Sequence, residues 1–289
     1  MTVAPGGGES GAPVRFLAIG DAGEGNADQR LVGEAAAAVC AERGCDLVLY
    51  LGDNLYQDGD DIEALDFLGR FEKPYRGLDL PFYVVLGNHD YGRWTVSRAR
   101  AEAELAYAAA SEKWVMPDFF YSFTYGDVTF VGLDTNALYS GWVLDWDDPQ
   151  LDWLGQVMET GTPWTVAFGH HPWRSNGKHG SAGGYEGVPL LGMWLESVFE
   201  EQLCGRADLY LSGHDHNRQW LAPECGVELV VSGAGAKTTP LVGRDAPTFW
   251  EEDGAPGFAW FSIEGEEMTG AFYDKAGVMG FERVVKRSD

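Results

Sequence analysis

Positive charge is scarce in this chain. Lysine and arginine total 20 against 45 aspartates and glutamates, a formal net charge of -25 over 289 residues. So acidic a surface repels a phosphate backbone, and binding one needs clustered Lys and Arg, so nucleic acid is excluded as the main partner. Long apolar runs are also missing: nothing approaches the roughly 20 residues that cross a bilayer, and no membrane span is expected. The only cysteines are Cys40, Cys45, Cys204 and Cys225, without a C-x-x-C pair, which excludes a zinc ribbon and a thioredoxin-type motif. A Cys40–Cys45 or Cys204–Cys225 disulfide suits an exported chain, reduced buried thiols suit a cytoplasmic one, and spacing does not choose. Residues 1–13 are rich in Gly and Pro and lack the basic flank and apolar core of a signal peptide. They read as a flexible leader or as the remainder of a longer export segment, so localisation stays open. Internal repeats and linkers are absent, and 14–289 reads as one domain.

What the chain does have is apolar material, 45% of its residues with 13% aromatic, enough for a sizeable core. One pattern recurs through it. A short run of Val, Leu, Ile, Ala and aromatics reads as a buried strand and ends in Gly followed by polar residues. The runs at 16–19, 47–51, 82–86, 165–168 and 209–212 lead into Gly20-Asp21, Gly52-Asp53, Gly87-Asn88-His89-Asp90, Gly169-His170 and Gly213-His214-Asp215-His216. Residues 27–43, 94–113, 149–159 and 188–204 carry helical patterning, and Pro149 and Pro189 mark two of the starts. Residues 119–134 read as a hairpin about Gly126-Asp127, with further strands at 227–232, 258–264, 268–273 and 281–285. The expected class is α/β: two sheets packed face to face with helices outside.

Groups just past the carboxyl ends of strands converge on one rim of such a sheet, and Gly lets the backbone turn there. Five such ends carrying Asp, Asn and His therefore point to one site. All six histidines fall within these segments or close after them. Carboxylate, carboxamide and imidazole suit Fe, Mn or Zn, and a carboxylate between two ions can bridge them. Bound metal also answers the charge problem, because an anionic substrate needs local positive charge to approach so acidic a protein.

The five motifs Gly20-Asp21-Ala22-Gly23, Gly52-Asp53-Asn54-Leu55-Tyr56, Gly87-Asn88-His89-Asp90, Gly169-His170-His171-Pro172 and Gly213-His214-Asp215-His216 resemble, in order, those of the calcineurin-like metallophosphoesterases. Tyr56, three residues after the second Asp, is similar to the purple acid phosphatase branch, and the small tartrate-resistant form is the nearest likeness. Residues 175–180, with His179, resemble that branch's loop after the fourth motif, and Ser232-Gly233-Ala234-Gly235 its late turn. The resemblance spans about 14–287. Ala22 departs from it, standing where animal forms carry a bulkier aromatic.

The resemblance implies a four-layer α-β-β-α sandwich and hydrolysis of phosphate monoesters by a metal-bound hydroxide at a dinuclear centre. It implies that Asp21, Asp53, Tyr56 and His216 bind the first ion, and Asp53, Asn88, His170 and His214 the second. The phenolate favours Fe(3+) and gives the family its purple charge-transfer colour; the other ion is Fe(2+), Zn(2+) or Mn(2+). His89 and His179 would face the substrate, Asp90 would orient His89, and His171 would be structural or solvent-facing. Arg174, and more weakly Arg93, are candidates to grip a phosphate oxygen. The alternative is a phosphodiesterase of the same superfamily, acting on cyclic nucleotides or other phosphodiesters, whose sites normally lack the tyrosine. The expected partner is a small phosphorylated substrate; oligomeric state is left open.

Overall fold

A computed structural model describes residues 6–57, 65–92, 98–144, 149–159 and 161–287. Arg93 and the start of the expected 94–113 helix, residues 94–97, lie outside these described residues. The first sheet is built on three parallel strands, β1 (Val14–Ile19), β2 (Leu47–Leu51) and β3 (Phe82–Val85), extended by β4 (Trp114–Val115). The second holds the hairpin β5 (Tyr121–Tyr125) and β6 (Val128–Gly132), then β7 (Trp164–Phe168), β8 (Leu209–Ser212), β9 (Arg218–Glu224), β10 (Val227–Ser232) and β11 (Thr248–Glu252). Three antiparallel strands, β12 (Gly257–Glu264), β13 (Glu267–Asp274) and β14 (Met279–Lys286), complete the first sheet. The strand orders are β14-β13-β12-β1-β2-β3-β4 and β11-β9-β10-β8-β7-β6-β5.

The two sheets face each other across one apolar layer. Phe16, Leu49, Val85 and Phe261 from one meet Phe130, Val166, Leu211 and Val230 from the other. The central strands read as unbroken apolar runs because their outer faces are covered too. Helices α1 (Ala27–Arg43) and α2 (Arg98–Tyr107) bury Val32, Ala36 and Ala101 on the first sheet. On the second, α4 (Pro149–Val157) and α5 (Met193–Val198) bury Trp153, Leu154 and Leu195, and α3 (Thr135–Leu144) packs beside α5. The expected α-β-β-α layering is what the chain forms.

Three expectations change. The helix expected over 188–204 is confined to α5 and a π-helical turn at Phe199–Leu203, because left-handed Leu190 (φ 69°) and Gly192 (φ 76°) break the stretch before them. The described part of the supposed leader is tied down: Gly7 bridges to Tyr125, and Ser10 Oγ and Gly11 N donate to Asp127. Both disulfides are formed. Cys40–Cys45 staples the end of α1 to the approach to β2, and Cys204–Cys225 joins the end of the π-helical turn to the β9–β10 turn. Among the described residues no helix is long and apolar enough to cross a membrane.

Candidate metal centre

The strand ends converge as expected, through unusual backbone. Asp21 (φ 55°), Asp53 (φ 53°) and His214 (φ 68°) are left-handed, a conformation costing a side-chain-bearing residue about 1–3 kcal/mol. Hydrogen bonds across the rim hold them so: Asp21 N donates to Gly52 O, His214 N to Asp21 Oδ2, and Gly213 N to His170 O. The adjoining glycines leave room for this crowding. A Cβ on Gly87 would stand 2.2 Å from Asp53 N and Oδ1, and one on Gly213 2.4 Å from Asp21 Oδ2.

The donor atoms form two groups that share one residue. Tyr56 Oη lies 3.1 Å from Asp21 Oδ1, 2.9 Å from Asp53 Oδ2 and 3.0 Å from His216 Nε2. His170 Nε2 lies 3.0 Å from Asn88 Oδ1, 3.1 Å from His214 Nδ1 and 3.5 Å from Asp53 Oδ1. Asp53 thus turns one oxygen to each group.

These contacts fit metal ions better than hydrogen bonds. The single Tyr56 proton can serve only one of three surrounding acceptors. His170 Nδ1 donates to Leu51 O at 2.9 Å, which leaves Nε2 with its lone pair facing other acceptors. Donors about 2.1 Å from a shared ion stand about 3 Å apart at neighbouring octahedral positions, the spacing seen in both groups. Oxygen and imidazole donors with no thiolate suit borderline and hard ions.

Charge supports the same reading. Burial, with the Asp53 charge adding to it, raises the Asp21 carboxyl to about 8. For Asp53 burial also raises, but the His170 and His89 charges and the hydrogen bonds from His89 N and Tyr56 bring it to about 2. Burial disfavours the charged form of His170, yet Asp53 and Asp21 outweigh this and lift it above its ordinary range. Burial holds His214 well below its ordinary value and, helped by the Lys237 charge, takes His216 down to about 3. His214 and His216 are thus held neutral, and the charge drawn onto His170 by Asp53 and Asp21 marks a place where the buried carboxylates call for a cation.

Two histidines flank the buried donors and reach solvent. His89 is 25% exposed, with its ring 4.6 Å from that of Tyr56; its backbone N donates to Asp53 Oδ1. His179 is 23% exposed, with its ring 4.3 Å from that of His214, and its Nδ1 meets Glu186. Asp90 is buried and accepts from Asn54 N, Leu55 N and Gly87 N, which fixes the Tyr56 loop against the Asn88 loop. His171 is buried behind His214 and bonded to Thr135 Oγ1. Arg174 is committed elsewhere, to Glu196 at 2.8 Å and Glu224 at 3.3 Å.

Sequence reasoning missed Asp215, Glu186 and Lys237. Asp215 accepts from Ser175 Oγ, His179 N and Gly180 N, tying the His179 loop to the turn that bears His214 and His216. Its place between two candidate ligands was the available signal. Glu186 and Lys237 sit in loops whose sequence carries none.

Residues 14–218 match the family of calcineurin-like phosphoesterases. The chain is 30% identical to human tartrate-resistant acid phosphatase type 5, over 95% of this chain and 91% of that one. It is 28% identical to purple acid phosphatase 4 of Arabidopsis thaliana, over 91% and 81%. Among solved structures, GAP50, the anchor in the inner membrane complex of Plasmodium, superposes with a TM-score of 0.76 at 18% identity, covering 96% of this chain and 90% of that one. A dimetal phosphatase from Danio rerio gives 0.60 at 15% identity, over 95% and 99%. The last two establish the fold alone. The matched family span and the 30% identity to the human enzyme establish more: the chain belongs to the calcineurin-like metallophosphoesterases and is related to the tartrate-resistant and purple acid phosphatases.

Proposed function

We propose that the chain hydrolyses phosphate monoesters as an acid phosphatase, with Fe(3+) at the Tyr56 site and Fe(2+), Zn(2+) or Mn(2+) at the other. Metal-dependent hydrolysis of phosphate esters at a dinuclear centre comes with the family. The observation that carries the finer reading is Tyr56 Oη, within 3.1 Å of donors from Asp21, Asp53 and His216. A phenolate is a hard anionic donor and selects a hard, highly charged ion. A diester substrate is not favoured, since diesterase sites of this superfamily normally lack that phenol.

In this reading Asp21, Asp53, Tyr56 and His216 hold the ferric ion, while Asp53, Asn88, His170 and His214 hold the second. The pair of cations supplies an acidified water and neutralises charge on the phosphoryl oxygens. The protein's part is orientation and proton handling. His89 and His179 stand on the solvent side of the donors, where a phosphoryl group enters. His89 contacts a phosphoryl oxygen or delivers a proton to the leaving oxygen. Glu186 holds His179 by Nδ1 and leaves Nε2 for the phosphoryl group. Arg174, bound by two glutamates, stabilises its loop instead of gripping substrate.

The deciding experiment is metal analysis with a visible spectrum on protein purified without added metals, alongside a chromogenic monoester assay. Bound iron and a visible charge-transfer band are expected, with the band lost in Tyr56→Phe. Colourless protein holding only zinc or manganese would overturn the ferric assignment.

A second outcome follows from the raised Asp21 carboxyl. Its folded value, about 8, lies above the ordinary 3.8, so the stability it contributes to stripped protein is present at low pH and is lost as pH rises toward 8. Metal must displace that proton. Tyr56, whose phenol burial holds well above its ordinary value, gives up a proton as well. Affinity of stripped protein for Zn(2+) should therefore rise more than about tenfold per pH unit from about 6 to 8, and less steeply above 8, where the Asp21 proton is already gone. Calorimetry in buffers of different ionisation enthalpy counts the protons released. A flat affinity across that window would remove Asp21 from the ligand set.

A further inference from the structure

We propose that Lys237 tunes the metal-binding phenolate of Tyr56 by holding a positive charge against its ring. This rests on the reading of Tyr56 as a ferric ligand. Lys237 Nζ lies 3.5 Å from the centroid of the Tyr56 ring, over its face. The same ammonium bonds Glu24 Oε1 at 2.5 Å, and both side chains are about one-third exposed.

The placement is built in. Lys237 follows β10 in a turn fastened to the metal-binding loops from several directions. Gly235 N donates to Gly20 O at 2.9 Å, Asn26 Nδ2 to Ala236 O at 2.9 Å, and Thr239 N to His216 O at 2.8 Å. Glu24, which steers the ammonium, lies three residues after Asp21 and next to Gly23, whose carbonyl accepts from Tyr56 N. A lysine with its backbone pinned and its head paired does not sweep the solvent as an ordinary surface lysine does. In a protein of net charge -25, this ammonium is set against the one ligand whose electrons give the site its colour.

A cation over an aromatic face is attracted to the ring's electrons, and more so when the ring is a phenolate. It therefore lowers the energy of the electrons that the phenolate shares with the metal. Two consequences follow for a ferric ion bound to Tyr56 Oη. Moving an electron from phenolate to iron takes more energy, so the visible band lies at shorter wavelength than it would without Lys237. The phenolate also donates less, so the ion is a stronger Lewis acid and is easier to reduce. Lys237 acts through Tyr56 and is a tuning residue; nothing places it on the reacting atoms.

The test compares visible spectra of wild-type holoenzyme, Lys237→Met and Lys237→Arg, each with its iron content measured. Lys237→Met should move the band to longer wavelength, by on the order of 10 nm, with a more negative ferric reduction potential. Lys237→Arg keeps a cation over the ring and should stay near the wild-type wavelength. A lysine that only helps the loop pack would change how much iron binds, and so the intensity, while leaving the wavelength in place. A Lys237→Met band at the wild-type wavelength, or at a shorter one, therefore overturns the proposal. A wild-type protein with iron but no such band is a different failure: it removes the ferric phenolate and this inference together.

Discussion

Asp53→Ala is expected to lose both metal ions and turnover in one step. Its two oxygens face different donor groups, Oδ2 toward Tyr56 at 2.9 Å and Oδ1 toward His170 at 3.5 Å, and among the described residues it is the one placed in both. In the proposed centre, removing it would take an anionic ligand from each ion and leave the two cations unscreened from each other. It also unties the rim, since Oδ1 accepts from His89 N. Losing several kcal/mol of charge stabilisation in the transition state corresponds to a rate loss of at least about 10³-fold. Asp53 belongs to none of the apolar clusters and alanine brings no atom that aspartate lacks, so folded protein without metal is the expected species. Elemental analysis and a monoester assay on the same preparation check it. Two metals per chain with undiminished turnover would rule out a bridging role for Asp53.

The reach of the sequence follows from where its constraints are local. The strands that end in ligands are apolar over their whole length because they are buried on both faces, so they read directly, and the glycine after each marks the turn. Helix α1 reads to its ends because Asn26 caps it, accepting from Gln29 N, and Gly44 (φ 82°) stops it. Strand β9 does not read, because its buried Arg218 and Gln219 are polar; Gln219 finds partners in Ser175 and Asn217 that no local pattern announces. Strand β11 is an edge strand with alternating partial exposure, a weaker signal than a continuous run.

The candidate site divides in the same way. The candidate donors that follow a strand and a glycine stood out by pattern, whereas Tyr56 entered only through the resemblance of its motif to the purple acid phosphatase branch. The groups that support them come from other segments: Glu186 beside His179, Lys237 over Tyr56, and Glu104 of α2 behind Asn54. Each depends on a contact between segments 7 to 181 residues apart, taking Glu186 from His179 and Lys237 from Tyr56 as the extremes, and no periodicity encodes such contacts. Arg174 shows the converse. Its position after the fourth motif suggested a phosphate grip, while Glu196 and Glu224, 22 and 50 residues away, take up its guanidinium.

His89→Ala should separate metal binding from turnover, and the reason lies in which part of the residue does which job. The backbone N of His89 supports Asp53 Oδ1 at 2.9 Å, and alanine keeps that N–H. The loop itself is held by Asp90, whose carboxylate takes three backbone N–H groups, so Asn88 stays in place when the imidazole goes. The ring lies on the open side, its Nε2 4.0 Å from Asp53 Oδ2. Metal content should therefore be unchanged, with kcat lower by about 10²–10⁴-fold, the usual worth of a general acid or base. The nature of the leaving group then separates the two roles open to the ring. If His89 protonates the leaving oxygen, an aryl phosphate with an acidic phenol will be slowed much less than an alkyl phosphate, because its leaving group departs without help. If the ring only steadies a phosphoryl oxygen, both substrates will slow alike. Full activity toward both would take His89 out of the reaction, and loss of metal would instead give the ring a structural part in the centre.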